Sequence, residues 1–288
     1  MSADPIHVVL CFDDNFWAPA YAVMRSICIA SKRRPDLNFH LCHPGLAAGH
    51  IADLGRIGEE YGASVHYYDL RENEVFRRVG LKARYSDRLT HVIYARLMVD
   101  HILPGEVKRV IYLDCDMYVR HPIEEMAELD LKGHPIAAVR DPHSHIITAG
   151  RDLRQNLDLF DPADPYFNSG FLVIDMAEWR KADVLGRLES MIEDGTMDRL
   201  YYDQDVLNLI FKHNWLRLPQ MWNLLMPRTP HEAFDPALLH YTGARRPWNL
   251  VSMVAFGRVY RHVMTNELFY RFFWFRMRRR IKRWFHLK

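Results

Sequence analysis

The chain opens on an apolar run over residues 6–12, interrupted only by His7 and containing the β-branched Ile6, Val8 and Val9. A strand buried on both faces reads this way, because neither side of it is left to water. Asp13-Asp14-Asn15 ends the run with residues that favour turns and helix caps. Beyond it, Ala20, Met24, Ile27 and Cys28 recur at the spacing of one helix face. The alternation repeats: 37–42 predicts a strand, 47–60 a helix and 63–68 a strand. This β-α-β-α-β order implies a doubly wound sheet with right-handed crossovers, whose ligands sit at the carboxyl ends of the strands. The Asp13-Asp14-Asn15 turn lies at such an end.

A helix is predicted over 89–103, stopped by Pro104-Gly105, and the next buried strand, 109–113, runs straight into Asp114-Cys115-Asp116. Residues 141–165 lack periodicity and are rich in Asp, Pro and His, which suggests a functional loop or lid. A strand over 166–175, a helix over 176–194 and a short helix over 203–213 follow, and a Pro-rich stretch leads to His240. There is no internal repeat and no low-complexity segment. The 288 residues, 49% of them hydrophobic, suffice for one large α/β domain, assigned to 1–250, with a helical tail over 251–288. No window approaches 18 uninterrupted apolar residues, so no membrane span is expected. Met1-Ser2-Ala3-Asp4 leads directly into the first strand without the pattern of a secretory signal. Cys11, Cys28, Cys42 and Cys115 form no Cys-x-x-Cys pair, and three sit in apolar runs, as buried thiols in a reducing cytosol would.

Charge adds an asymmetry. Residues 268–288 hold eight Lys/Arg and no Asp/Glu, whereas the whole chain holds 38 and 36. The body is left with 30 basic against 36 acidic side chains, about −6, and the tail carries +8. A nucleic-acid binder carries its positive charge on the folded body, so no such partner is expected. Met277, Ile281, Trp284 and Phe285 share one helix face, and Arg278, Arg279, Arg280, Lys282 and Arg283 fill most of the rest. That pattern reads as an interfacial helix on an anionic membrane, giving a cytoplasmic protein peripheral to the membrane's inner face. The preceding Phe269, Phe272, Phe273, Trp274 and Phe275 fit a helix packed on the body equally well.

The sharpest chemical feature is Asp114-Cys115-Asp116. In an extended chain the two carboxylates project to the same side, where they repel unless a cation lies between them. Hard oxygen ligands favour Mg or Mn. The residues alone leave an ordinary polar turn equally open. His240 follows Leu238-Leu239, a setting in which histidine is as a rule structural. Here, however, Gly243 and Arg246 follow within six residues, which suits a loop wrapped around a diphosphate.

Six pieces in order resemble family 8 of the retaining glycosyltransferases, and among them the bacterial lipopolysaccharide galactosyl- and glucosyltransferases. They are Asp13-Asp14-Asn15, Tyr94-Ala95-Arg96, Tyr112-Leu113-Asp114-Cys115-Asp116, Phe167-Asn168-Ser169-Gly170, Asp203-Gln204-Asp205 and the stretch 240–248, together spanning roughly residues 6–250. The resemblance implies a GT-A fold, a single Rossmann-like domain with a mixed, mostly parallel sheet. It also implies a UDP-hexose donor, galactose or glucose, bound with Mn²⁺ (or Mg²⁺), and a saccharide acceptor such as lipopolysaccharide or another cell-surface glycan. By carry-over, Asp114, Asp116 and His240 would ligate the metal, and Asp13 and Asn15 would contact uridine or ribose. Arg96 and Asn168 would hold sugar and diphosphate, Asp141 the hydroxyls of the hexose, and Asp203 and Gln204 would flank the anomeric carbon. Gly243 and Arg246 would close over the phosphates. One departure stands out: the family has Lys where this chain has Arg246, a planar fork in place of a point charge.

Two other readings compete. A strand ending in Asp-x-Asp also resembles haloacid-dehalogenase-type phosphatases, with Asp114 as the phosphorylated residue. That motif opens its domain and has Thr or Val where this chain has Tyr118. A non-catalytic sugar-nucleotide-binding module is the other, although such a module has no need of a full metal triad. For the transferase, no carboxylate pair is spaced as in retaining hydrolases and Gln204 is a poor nucleophile. Same-face substitution is therefore preferred to a covalent intermediate on Asp203.

Overall fold

The computed structural model describes residues 4–83, 90–143, 158–161 and 163–284. The predicted alternation becomes β1 (Ile6–Cys11), α1 (Trp17–Ala30), β2 (Leu37–His43), α2 (Ala48–Tyr61) and β3 (Ser64–Asp69). The chain continues through α3 (Val99–Ile102), β4 (Arg109–Leu113), β5 (Met117–Val119), α4 (Glu124–Ala127), β6 (Ile136–Arg140) and β7 (Phe167–Asp175). It ends with α5 (Met176–Lys181), α6 (Val184–Glu193), α7 (Tyr202–Phe211), β8 (Leu216–Leu218), β9 (Leu224–Leu225), β10 (Leu238–His240), α8 (Gly257–Met264) and α9 (Asn266–Trp284). The main sheet has the order β3-β2-β1-β4-β7-β6-β8, and β5, β10 and β9 make a smaller one.

Strands β1 to β4 pair in parallel, whereas β7 runs antiparallel to both β4 and β6. Both faces of the sheet are covered, as the continuous apolar runs require. Ile6, Val8 and Leu10 of β1, with Ile111 and Leu113 of β4 and Phe171 and Val173 of β7, pack in one core with α1 and α9. The alternate residues Val9, Val110, Tyr112, Leu172 and Ile174 pack in another, with α5 to α7. The period of two thus serves two cores.

Strand β1 lies between β2 and β4, so the chain changes its direction of travel across the sheet there. A crevice opens at such a point, at the carboxyl ends of the strands. Asp13 leaves β1 at that edge and Asp114 leaves β4 beside it. Because β7 is reversed, its first residues, from Phe167 to Gly170, reach the same edge. The pairing of β6 with β7 jumps from Leu172 to Asn168 between Ala138 and Val139. Such an irregularity re-aims side chains next to a site.

Two expectations change. The helix expected over 89–103 is a 3₁₀ coil over His91–Met98 that passes into α3 (Leu89 lies outside the described residues). Tyr94 to Met98 are all buried, so this segment has no solvent face for an amphipathic α-helix to present. The helix expected over 176–194 breaks after Lys181, because Asp183 adopts a φ of 49° and its carboxylate accepts from Gly186 N at 3.2 Å to cap α6. Most of the expected lid over 141–165 lies outside the described residues.

One face of the aromatic half of the tail is core. Leu268, Phe269 and Phe272 are almost wholly buried, and the Phe272 ring meets Trp17 and Trp248 edge-on at 6.0 and 6.3 Å. Burying each such side chain contributes roughly 1.5–3 kcal/mol, enough to hold this part of α9 on the body. Phe285 and the side chains of Arg283 and Trp284 lie outside the described residues. Among the described residues, no helix is long and apolar enough to cross a membrane. Cys28, Cys42 and Cys115 are buried free thiols, and burial pushes that of Cys28 up to about 12.

Candidate active site

Three backbone pairings assemble the carboxylates and the histidine. Asp114 N donates to Gly170 O at 2.8 Å, Tyr241 N donates to Asp116 O at 2.8 Å, and His240 is registered against Met117. As a result Asp114, Asp116 and His240 offer ligand atoms that all lie within 4.8 Å of one another. His240 Nε2 is 3.0 Å from Asp116 Oδ1 and 3.7 Å from Asp114 Oδ2.

A chain of amides fixes which nitrogen of His240 faces the carboxylates. Gly170 N, which can only donate, lies 3.1 Å from Asn168 Oδ1 and so orients that amide. Asn168 Oδ1 also accepts from Asn223 Nδ2 at 2.9 Å, which turns Asn223 Oδ1 toward His240 Nδ1 at 3.0 Å. An amide oxygen can only accept, so Nδ1 carries a proton and the neutral ring presents the lone pair of Nε2 to two carboxylates. Lone pairs converging on one point call for a cation. Gly170 leaves the room for it, since a Cβ there would lie 2.4 Å from His240 Cε1 and 2.8 Å from Asp114 Oδ2. Asp114, Asp116 and His240 therefore fit a divalent metal.

The same carboxylates are held from behind. Arg96 Nη2 and Tyr112 Oη donate to Asp114 Oδ1 at 2.8 and 2.9 Å, and Arg96 Nε lies 3.1 Å from Asp203 Oδ2. Burial works against the Arg96 charge, but Asp114 and Asp203 outweigh it and raise its pKa. Arg246 donates to Asp116 Oδ2 and to Tyr241 O. Burial alone would raise Asp116, but Arg246 beside it, and His240 whenever its ring is charged, hold it well below the usual carboxylate range.

Asn168 joins this group to the candidate hexose residues. Its Nδ2 donates to Gln204 Oε1 at 3.0 Å and Asp141 Oδ2 at 3.3 Å, and Gln204 Nε2 donates to the same Asp141 oxygen at 3.3 Å. Ser169 N fixes Gln204 by donating to Oε1 at 3.2 Å. Asp203 sits deeper, accepting from Ser169 Oγ at 3.1 Å, and burial raises its pKa despite Arg96.

A cavity of about 870 Å³ adjoins the carboxylates, lined by Asp13, Asn15, Phe16, Arg246 and Trp248 and by the carboxyl half of α9. Asn15 donates twice to Asp13, from N at 2.9 Å and from Nδ2 at 3.0 Å. Its buried Oδ1 has no partner among the described residues, so an acceptor is left for a ligand. Arg246 belongs to both the cavity wall and the Asp116 cluster and connects the two.

All the expected site residues except Gly243 thus converge on one edge of the sheet. Gly243 is exposed at a φ of 81°, and a Cβ there would meet nothing within 4 Å. Glycine suits its backbone angle there. Arg96 is buried behind Asp114 and Asp203, where it orients carboxylates. Asn223 and the clearance at Gly170 went unread. Gly170 stood inside a recognised motif without a role, and Asn223 gave no sequence signal.

The sequence profile described as Glycosyl transferase family 8 matches residues 7–251. The chain is 24% identical over 278 residues to General stress protein A of Bacillus subtilis, covering 90% of this chain and 93% of that protein. It is 26% identical over 284 residues to the lipopolysaccharide 1,2-glucosyltransferase of Escherichia coli K12, covering 92% and 79%. Streptococcal glycosyltransferases that it also matches are longer proteins, of which it spans 23 to 58%. The crystal structure of the galactosyltransferase LgtC with donor and acceptor sugar analogs superposes with a TM-score of 0.73 at 22% identity, over 90% of this chain and 95% of that one. The fold is the expected GT-A fold.

Proposed function

The chain belongs to glycosyl transferase family 8, and from that premise we propose that it moves galactose or glucose from UDP to a saccharide acceptor with retention of configuration. The acceptor class we infer is lipopolysaccharide or another cell-surface glycan, in keeping with the Escherichia coli relative. The observation that carries this reading is the convergence of Asp114, Asp116 and His240 beside a cavity that shares Arg246 with them. A manganese ion, or magnesium in its place, held by those three residues would supply positive charge to the leaving diphosphate. The family match removes the phosphatase reading of Asp114.

The remaining roles are proposed from the family resemblance, and the contacts within the site are compatible with them. Asn15 Oδ1 and Asp13 would take the nucleoside, and Asp141, fixed by Asn168 and Gln204, would take hexose hydroxyls. Gln204 would lie at the anomeric carbon. Asp203 has an oxygen engaged by both Ser169 and Arg96, which makes it a poor nucleophile. Same-face substitution, with the acceptor bonding to the anomeric carbon as the UDP oxygen leaves, needs no protein nucleophile. A screen of UDP-sugars for metal-dependent UDP release, with and without extracted lipid-linked glycans, tests the function. Release from no UDP-hexose under any metal would contradict it.

Attachment to an anionic membrane surface is proposed for the exposed face of α9, where Tyr270, Trp274 and Ile281 are exposed. This gives a peripheral cytoplasmic-face enzyme. Trp274→Ala should reduce co-sedimentation with anionic vesicles several-fold, and unchanged co-sedimentation would contradict the attachment.

A further inference from the structure

The cations of α9 fall into two sets. Arg271 is matched: its two terminal nitrogens donate to the carboxylate of Asp53 at 2.8 and 2.9 Å. Arg276, Arg279 and Arg280 line the cavity shared with Asp13, Asn15 and Arg246, and none pairs with a carboxylate among the described residues. Arg276 is nevertheless held in place. Its guanidinium sits 5.6 Å from the Phe272 ring and donates to Asn249 Oδ1 at 3.3 and 3.4 Å. Arg279 stacks similarly over Phe275 at 5.7 Å. The buried Phe272 and the half-buried Phe275 thus brace Arg276 and Arg279, which limits the freedom lost on binding a ligand.

We propose that the carboxyl half of α9 is a wall of the donor pocket, with Arg276, supported by Arg279 and Arg280, binding phosphate oxygens of the nucleotide sugar. This rests on the UDP-hexose reading above and extends it to residues beyond the family match. The need for such a cation is visible in the site. Arg246 is engaged by Asp116 and Tyr241 O, and Arg96 is buried behind Asp114 and Asp203. Among the described residues, the cations that a diphosphate entering the cavity would find on its wall are Arg246 and the α9 set. Burial and the nearby charge of Arg246 depress Arg276, a like-charge strain that an anion between them relieves. The planar fork suits a diphosphate, which offers oxygens in pairs.

Calorimetric titration of the full chain with UDP and with uridine, each in the presence of Mn²⁺, tests this directly. Arg276→Ala should weaken UDP about tenfold, the usual effect of one charge-assisted contact, and leave uridine within about twofold. Arg276→Lys should fall between, since charge is kept and the fork is lost. An unchanged UDP affinity in Arg276→Ala overturns the proposal and leaves the UDP-hexose reading standing. If vesicle co-sedimentation then falls instead, the cations serve lipid. An equal loss of UDP and uridine also overturns it, since the helix would then act through packing alone. Failure of the unmodified protein to bind UDP sinks the donor reading itself.

Discussion

The carboxylate centre and the α9 wall of the adjoining cavity are both highly charged, but they are built in opposite ways. In the centre each carboxylate is held from behind: Asp114 by Arg96 and Tyr112, Asp116 by Arg246, Asp203 by Ser169 and Arg96. On the wall, Arg276 and Arg279 have aromatic support, and neither they nor Arg280 pair with a carboxylate among the described residues. The difference teaches what each is for. A centre whose dipoles are fixed in advance stabilises charge that develops during a reaction without reorganising. Cations left unmatched are available to an anion that arrives from solution.

If that contrast is right, substitutions in the centre should act on metal binding and turnover. Outside the three ligands themselves, the largest effect is expected at Gly170. Gly170→Ala places a methyl against His240 and Asp114, and we expect a loss of about 100-fold or more in Mn²⁺ affinity with uridine binding retained. Paramagnetic resonance of free Mn²⁺ measures it, and near-normal metal binding would show that the centre yields more than its packing suggests.

Asn223→Ala should come next. It removes the acceptor that keeps the proton on His240 Nδ1, so metal affinity should fall about 10–100-fold while the fold survives. Asn223→Leu with unaltered metal affinity would show that His240 needs no such partner.

The smallest effect lies outside both regions and sets the acid limit within which either can be studied. His40 contacts His7 Nδ1 at 2.9 Å and Tyr68 Oη at 2.9 Å. Burial, with His7 and His66 nearby, lowers its pKa to about 3. The unfolded chain takes up that proton near pH 6.5, so this contribution is intact above pH 6.5 and is lost as pH falls toward 3. At pH 5 the loss should be roughly 2 kcal/mol. Urea unfolding of His40→Gln should show a flatter decline between pH 6.5 and 5, and an equal slope in both proteins would contradict the assignment.

What the sequence disclosed follows the same division. Strands β1 and β4 were legible because burial on both faces leaves nearly continuous apolar runs, and β2 and β3 were legible from their place in the β-α-β-α-β alternation. Asp114, Asp116 and His240 were legible because paired carboxylates and a histidine before a glycine-containing turn have few other uses together. The 3₁₀ coil over His91–Met98 was hidden, since helix spacing assumes a solvent face that this segment lacks. Asn223 and the clearance at Gly170 depend on strands that meet only in the fold, through β7 reversed against β4 and β10 set beside β5. The tail showed its charge and aromatic content plainly. Which arginines face a cavity and which face Asp53 is a matter of helix rotation, fixed by Leu268, Phe269 and Phe272 entering the core.

Metal dependence of UDP release bears most directly on the centre. Protein stripped with EDTA and given UDP-galactose or UDP-glucose with an acceptor extract should release UDP only when Mn²⁺ or Mg²⁺ is restored. Asp116→Ala should stay at least about 1,000-fold below the unmodified protein at any metal concentration. Full activity in the stripped protein, or an Asp116→Ala variant that responds to metal as the unmodified chain does, would contradict the assignment of Asp114, Asp116 and His240.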